Sequence, residues 1–176
     1  MNKEKKSNRV IMLVIDALIT AVLLAADQFT KHLAVVHLKD QPAYVIIDGV
    51  LELQYLENRG SAFGMLQNQK VFILFVGIVF LAVLLFFLLK LPEQKKFRIV
   101  HVLLAVIIAG GIGNMIDRVF RDGNVIDFLH FEFFPSFPVF NVADCAIVVG
   151  AGLLILYFLV DSVKESKRKS AEKADE

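Results

Sequence analysis

Four aspartates stand beside or between long apolar runs: Asp27, Asp117, Asp127 and Asp144. An ionisable group next to lipid is costly, so several at one level point to a functional site. Two carboxylates held close cannot both ionise cheaply, and one is driven to keep its proton. The ionised partner can then take a proton from water while the protonated partner polarises a carbonyl. That is the chemistry of aspartic peptide hydrolysis. It needs no metal, no cofactor and no nucleophilic side chain. Spacing alone leaves Asp117 and Asp127 as equal partners for Asp144. Arg118, next to Asp117, favours a permanently ionised Asp117, which suits a structural anion.

Other chemistries are less well served. Ser61 in "RGSAFG" with His130 outlines an intramembrane serine protease, whereas His101 falls a bilayer away from Ser61. Cys145 is the single cysteine, so an intrachain disulfide and a cysteine-based metal site are both excluded. No base adjoins it to make it a nucleophile. The four histidines are scattered and form no H-x-x-x-H pair, which argues against a zinc site. A small transporter or assembly factor with buried carboxylates is the non-enzymatic alternative, but no internal repeat supports it. The net charge of +1 carries no nucleic-acid signal.

The elements that must position these groups are membrane spans. Apolar residues make up 57% of the 176, and mean hydropathy is +0.64, outside the soluble range. Four segments approach the roughly 20 residues that cross a hydrocarbon core, at about 10–26, 71–89, 99–116 and 142–160. The first, preceded by Lys3, Lys5, Lys6 and Arg9, has the outline of a secretory signal peptide. Its length and the three spans behind it favour a retained helix. Basic residues cluster before span one, between spans two and three (Lys90, Lys95, Lys96, Arg98) and in the tail (Lys164, Lys167, Arg168, Lys169, Lys173). The positive-inside rule then puts both termini in the cytoplasm, and segments 27–70 and 117–141 on the outer face. Residues 1–161 form a single membrane-embedded domain. Residues 162–176 read as a charged cytoplasmic tail, frayed or loosely bound to anionic lipid.

The outer face holds the polar information. "YVIIDGVLELQYL" gives two β-prone runs around Asp-Gly, a hairpin signal within a β region at about 40–66. Segment 119–141 is rich in Phe, and Pro135 and Pro138 exclude a regular helix there. In span three Ala105, Ala109 and Gly113 recur every fourth residue, a surface for close helix approach. That face continues to Asp117, with Gly110, Asn114 and Arg118 on the adjoining stripe. Asn141 and Asp144 have the spacing of a capping box at the start of span four. Asp27 and Lys31 are four apart and can pair at the end of span one. Gly60 permits a tight turn. Asp16 lies about 16 Å before Asp27 along a helix, with an interhelical hydrogen bond as its only evident use.

Taken together, "DQFTK" (27–31), "ENRGSAFG" (57–64), "GGIGNMIDRV" (110–119), "NVIDF" (124–128) and "FNVADCAI" (140–147) resemble the bacterial lipoprotein signal peptidase family, signal peptidase II. The match runs from about residue 10 to residue 160. The resemblance implies an all-α membrane protein. It would have four transmembrane helices, a small extracytoplasmic antiparallel β-sheet that cradles substrate, and a short extracytoplasmic helix. It implies an aspartic endopeptidase of the cytoplasmic membrane that cuts diacylglyceryl-modified prolipoproteins just before the lipidated cysteine; a monomer is the expected state, though not one the resemblance supplies. The family's catalytic pair falls on Asp127 and Asp144. Its supporting positions fall on Asp27, Lys31, Asn58, Gly60, Asn114, Arg118 and Asn141.

Overall fold

The computed structural model of the chain describes residues 3–60, 69–92 and 94–174. The order is α1 (Lys3–His37), β1 (Tyr44–Ile47), β2 (Leu51–Asn58), α2 (Lys70–Lys90), a 3-10 turn at Lys95–Phe97, α3 (Arg98–Phe120), β3 (Val125–Phe131) and α4 (Val142–Ala174). All four helices are long and apolar enough to cross a membrane. The short helix implied beside the sheet is not among the described elements.

Helix limits follow local chemistry. No Gly or Pro interrupts α1, so its 35 residues run on for about 50 Å, well past the hydrocarbon core. It stops only near Asp40, which has a positive φ of 60°, and Pro42. Lys31 is therefore inside the helix, not at its end as the span length suggests. α2 stops at Leu91, which is extended because Pro92 follows it. The charged tail continues α4 as helix, with i,i+4 pairs Lys169–Glu165 (2.9 Å) and Arg168–Glu172 (3.5 Å).

α3 is the central helix. Over its most apolar stretch 56% of residues are buried, against 11–17% for the others, whose remaining faces are left for lipid. Its small residues are what bring α1 and α4 close. A Cβ on Gly113 would strike the Asp27 carboxylate, and one on Gly110 would strike the Ala143 backbone carbonyl. Below the sheet, Leu88, Val100, Leu104 and Ile108 form the apolar core between α2 and α3. The Tyr157 hydroxyl donates to the Lys96 carbonyl, tying α4 to the α2–α3 connection.

At one end of the bundle β1, β2 and β3 form an antiparallel sheet in that order. The β1–β2 turn uses Gly49 at φ +68°, the left-handed conformation that glycine adopts without strain. Segment 119–141, which the prolines mark as irregular, contains a true strand. β3 forms because β2 offers it a partner: Leu51 faces Phe131, Leu53 faces Leu129 and Leu56 faces Asp127. A bulge in β2 between Leu53 and Leu56 shifts this register just beside Asp127. The chain reaches β3 through a tight turn after α3, with Asp122 at φ 53° and Gly123 at φ 90°. Beyond β3, Phe131, Phe137 and Phe140 pack ring against ring with centroids 4.9–5.6 Å apart.

Candidate active site

Asp127 is the third residue of β3, and Asp144 lies in the first turn of α4. Both line one cavity of about 470 Å³. Asn58, Asn114, Arg118, Val125, Phe137–Phe140, Ile147 and Val148 complete its wall, which is mostly apolar. Asp127 rather than Asp117 thus shares a cavity with Asp144.

All four carboxylate oxygens of this pair accept hydrogen bonds, and all from amides. The Asn58 side chain donates to Asp127 Oδ2 (2.9 Å), and the Asn141 side chain donates to Asp127 Oδ1 (2.6 Å). The Asn114 side chain donates to Asp144 Oδ1 (2.8 Å), and the Asn141 backbone N–H donates to Asp144 Oδ2 (3.1 Å). In return the Asp144 backbone N–H donates to Asn141 Oδ1 (3.0 Å). The reciprocal capping box read from the sequence is present, and its Asp144 also lines the cavity.

Burial pushes the Asp127 carboxyl up to about 7, and the nearby charge of Asp144 adds to this. The amide donors Asn58 and Asn141 pull the other way, because they favour the ionised form.

Behind the cavity lies a second polar cluster, fully buried. Lys31 reaches Asp27 at 3.0 Å and Asp117 at 3.1 Å, and donates to Asn114 Oδ1 at 2.9 Å. This last contact fixes the Asn114 amide so that its N–H₂ faces Asp144. Asp27 accepts the Ala143 backbone N–H at the start of α4 (3.0 Å). Asp117 accepts the Ile126 N–H of β3 (3.1 Å). Each carboxylate therefore ties down the element that carries one aspartate of the pair. Asp117 is paired with Lys31 and with Arg121 (3.2 Å), rather than with its neighbour Arg118. Adjacent helix residues point about 100° apart, while Arg121 is one turn on.

Arg118 serves a different purpose. Its guanidinium donates to the carbonyls of Gly123 (2.9 Å) and Gly60 (2.6 Å), pinning the end of β2 to the turn that leads into β3. Gly60 also donates its N–H to Asn58 Oδ1 (2.9 Å), which orients the Asn58 amide toward Asp127. Ser61 lies outside the described residues. His130 contacts Glu52 at 2.8 Å across the β2–β3 pair.

The sequence reading passed over three contributors. Gln28 donates to Asp27 (3.1 Å) and to the Gly113 carbonyl (3.2 Å). Glu57 accepts from Lys39 (3.0 Å), Tyr55 (2.8 Å) and Asn124 (3.2 Å), anchoring β2 to the end of α1 and to the approach to β3. The Asp122-Gly123 turn aims β3 at the cavity. Its signal, "RDGN" after an apolar helix, is visible in the sequence.

The family model of signal peptidase II matches residues 19–160. The lipoprotein signal peptidase of Caldanaerobacter subterraneus subsp. tengcongensis is 48% identical over 136 residues, covering 77% of this chain and 90% of that protein. The lipoprotein signal peptidase of Halalkalibacterium halodurans is 39% identical over 156 residues, covering 88% of this chain and 97% of that one. A bacterial membrane enzyme solved by the in meso method at 2.3 Å superposes with a TM-score of 0.73. It is 29% identical, covering 84% of this chain and 89% of its own. With four spanning helices, one open sheet and matches that run nearly end to end, the chain belongs to the signal peptidase II family of membrane peptidases.

Proposed function

We propose that this chain is an aspartic endopeptidase that removes signal peptides from diacylglyceryl-modified prolipoproteins, cutting just before the lipidated cysteine. The supporting observation is the pair itself: two carboxylates on one apolar cavity, tied together by Asn141, with Asp127 pushed up to about 7. Near neutral pH such a pair carries about one proton. The ionised carboxylate takes a proton from water as the water oxygen bonds to the scissile carbonyl carbon. The protonated carboxylate donates to the developing oxyanion. Collapse breaks the C–N bond, and a proton returned from the pair leaves with the amine of the lipidated cysteine.

The remaining residues serve that step. Asn58, Asn114 and Asn141 hold the two carboxylates in place. Arg118 faces the substrate backbone from the cavity wall. Phe137, Phe140, Ile147 and Val148 offer apolar surface to the acyl chains and to the signal peptide. In this reading both termini face the cytoplasm of a bacterium. The sheet lies at the outer leaflet of its cytoplasmic membrane, and the enzyme acts as a monomer on lipid-embedded substrate without a metal.

The test is cleavage of a diacylglyceryl prolipoprotein in detergent by Asp127→Asn, Asp144→Asn and Asp117→Asn. The first two should fold and lose on the order of 1,000-fold or more in rate. Near-normal rates in either would remove the dyad. Asp117→Asn should lose folding and activity together. Ser61→Ala and added chelator should leave the rate unchanged.

A further inference from the structure

One buried polar pair takes no part in that mechanism. Asp16 of α1 meets His101 of α3, with Oδ2 and Nδ1 2.9 Å apart, and both residues are at most 3% exposed. Asp16 Oδ1 and His101 Nε2 are buried with no hydrogen-bond partner. Each residue's single polar contact is therefore the other. The pair lies within two spans, where a lone polar group is most costly, so it holds only while the two helices are aligned.

The alignment has a simple signature. Asp16 meets His101, Thr20 donates to the Ala105 carbonyl, and Gln28 donates to the Gly113 carbonyl. Each of these contacts joins residues 85 apart in sequence. α1 and α3 thus run parallel and in step over this stretch. Between the polar contacts, α3 offers α1 the small residues Ala105, Ala109 and Gly113. Such a surface permits close approach but gives apolar side chains little to catch on, so the register rests on the polar contacts, with Asp16–His101 at one end of the stretch and Lys31 at the other. A slip of one helical turn, about 5.4 Å, would carry Lys31 away from Asn114. Asn114 Oδ1 would then keep only the Asn141 amide, at 3.1 Å, to hold its own N–H₂ toward Asp144.

We propose that Asp16 and His101 are positioning residues for the reaction. Their contact sets the α1–α3 register that places Lys31 on Asn114 and so orients Asn114 toward Asp144. Fixing register within an apolar helix interface is the best-attested use of buried polarity.

The inference rests on the catalytic reading of Asp127 and Asp144, so Asp144→Asn is assayed alongside. The variants are Asp16→Ala, Asp16→Asn and the exchange Asp16→His with His101→Asp, each as full-length enzyme on diacylglyceryl prolipoprotein. Asp16→Ala should lower kcat about tenfold with KM within about twofold, because misplacement rather than lost substrate contact is at work. Asp16→Asn, which can still hydrogen-bond His101, and the exchanged pair should each restore most of kcat. A folded Asp16→Ala with wild-type kcat overturns the proposal. So does a folded Asp16→Asn or exchange variant that stays tenfold down, and these two decide the matter where Asp16→Ala does not fold. Activity in Asp144→Asn would instead remove the catalytic reading and leave the register contact standing.

Discussion

The molecule contains two pairs of carboxylates within one network, all buried but the half-buried Asp144, and their surroundings differ in kind. Asp27 and Asp117 share the ammonium of Lys31, and Asp117 also meets Arg121. Asp127 and Asp144 receive only neutral amide donors. A cation placed between two carboxylates offsets their repulsion. Amides hold a carboxylate in place without cancelling its charge, so the repulsion persists and a proton is kept nearby. The same side-chain type is a salt-bridged brace in one place and, in the proposed reading, an acid–base pair in the other. The difference lies in whether the neighbour carries charge.

Removing the cation attacks the first pair most severely. Lys31→Met would leave two carboxylates buried without compensation, costing about 3–5 kcal/mol. Thermal unfolding in detergent should show the loss before any assay does. A stable, active Lys31→Met would mean that the contrast between the pairs is not electrostatic.

The second pair should respond to pH through Asp127. Asp127 keeps its proton below about 7 and loses it above. Cleavage rate should therefore fall as pH rises through about 7, tending toward tenfold per unit. Asn58→Ala removes a donor that favours the ionised form, so the falling limb should move to higher pH. A limb that moves to lower pH, or does not move, would separate Asp127 from that titration.

The smallest effect is expected at the edge of the first cluster. Gln28→Ala removes hydrogen bonds to the Asp27 carboxylate and the Gly113 carbonyl, costing about 1–2 kcal/mol. A modest drop in melting temperature with an unchanged pH profile would place Gln28 wholly with the brace.

What the sequence disclosed follows from what is local. The spans, the Asp-Gly hairpin, the small-residue face of α3 and the capping box at α4 are short-range patterns, and each has its counterpart in the structure. The choice of Asp127 over Asp117 came from resemblance, because spacing left them equal. β3 was hidden because its strand character depends on β2, about 70 residues earlier in the chain. Phe and Pro residues near it read more strongly as irregular chain. The partner of Asp117 was misjudged for a related reason. Arg118 is adjacent in sequence, yet the helix turns it away, and Lys31 arrives from another span. The charged tail, read as frayed, carries on as helix because its pairs fall four residues apart.

Asn141 grips Asp127 with its side chain and Asp144 with its backbone while it caps α4. Spreading the two carboxylates and fraying the first turn of α4 are consequently one event. The Asp144 amide, bonded to Asn141 Oδ1, and the Cys145 amide, bonded to the Asn141 carbonyl, should exchange with solvent only when the geometry of the two carboxylates is lost. Two backbone amides thus provide a clock for how often the resting enzyme comes apart at its working end.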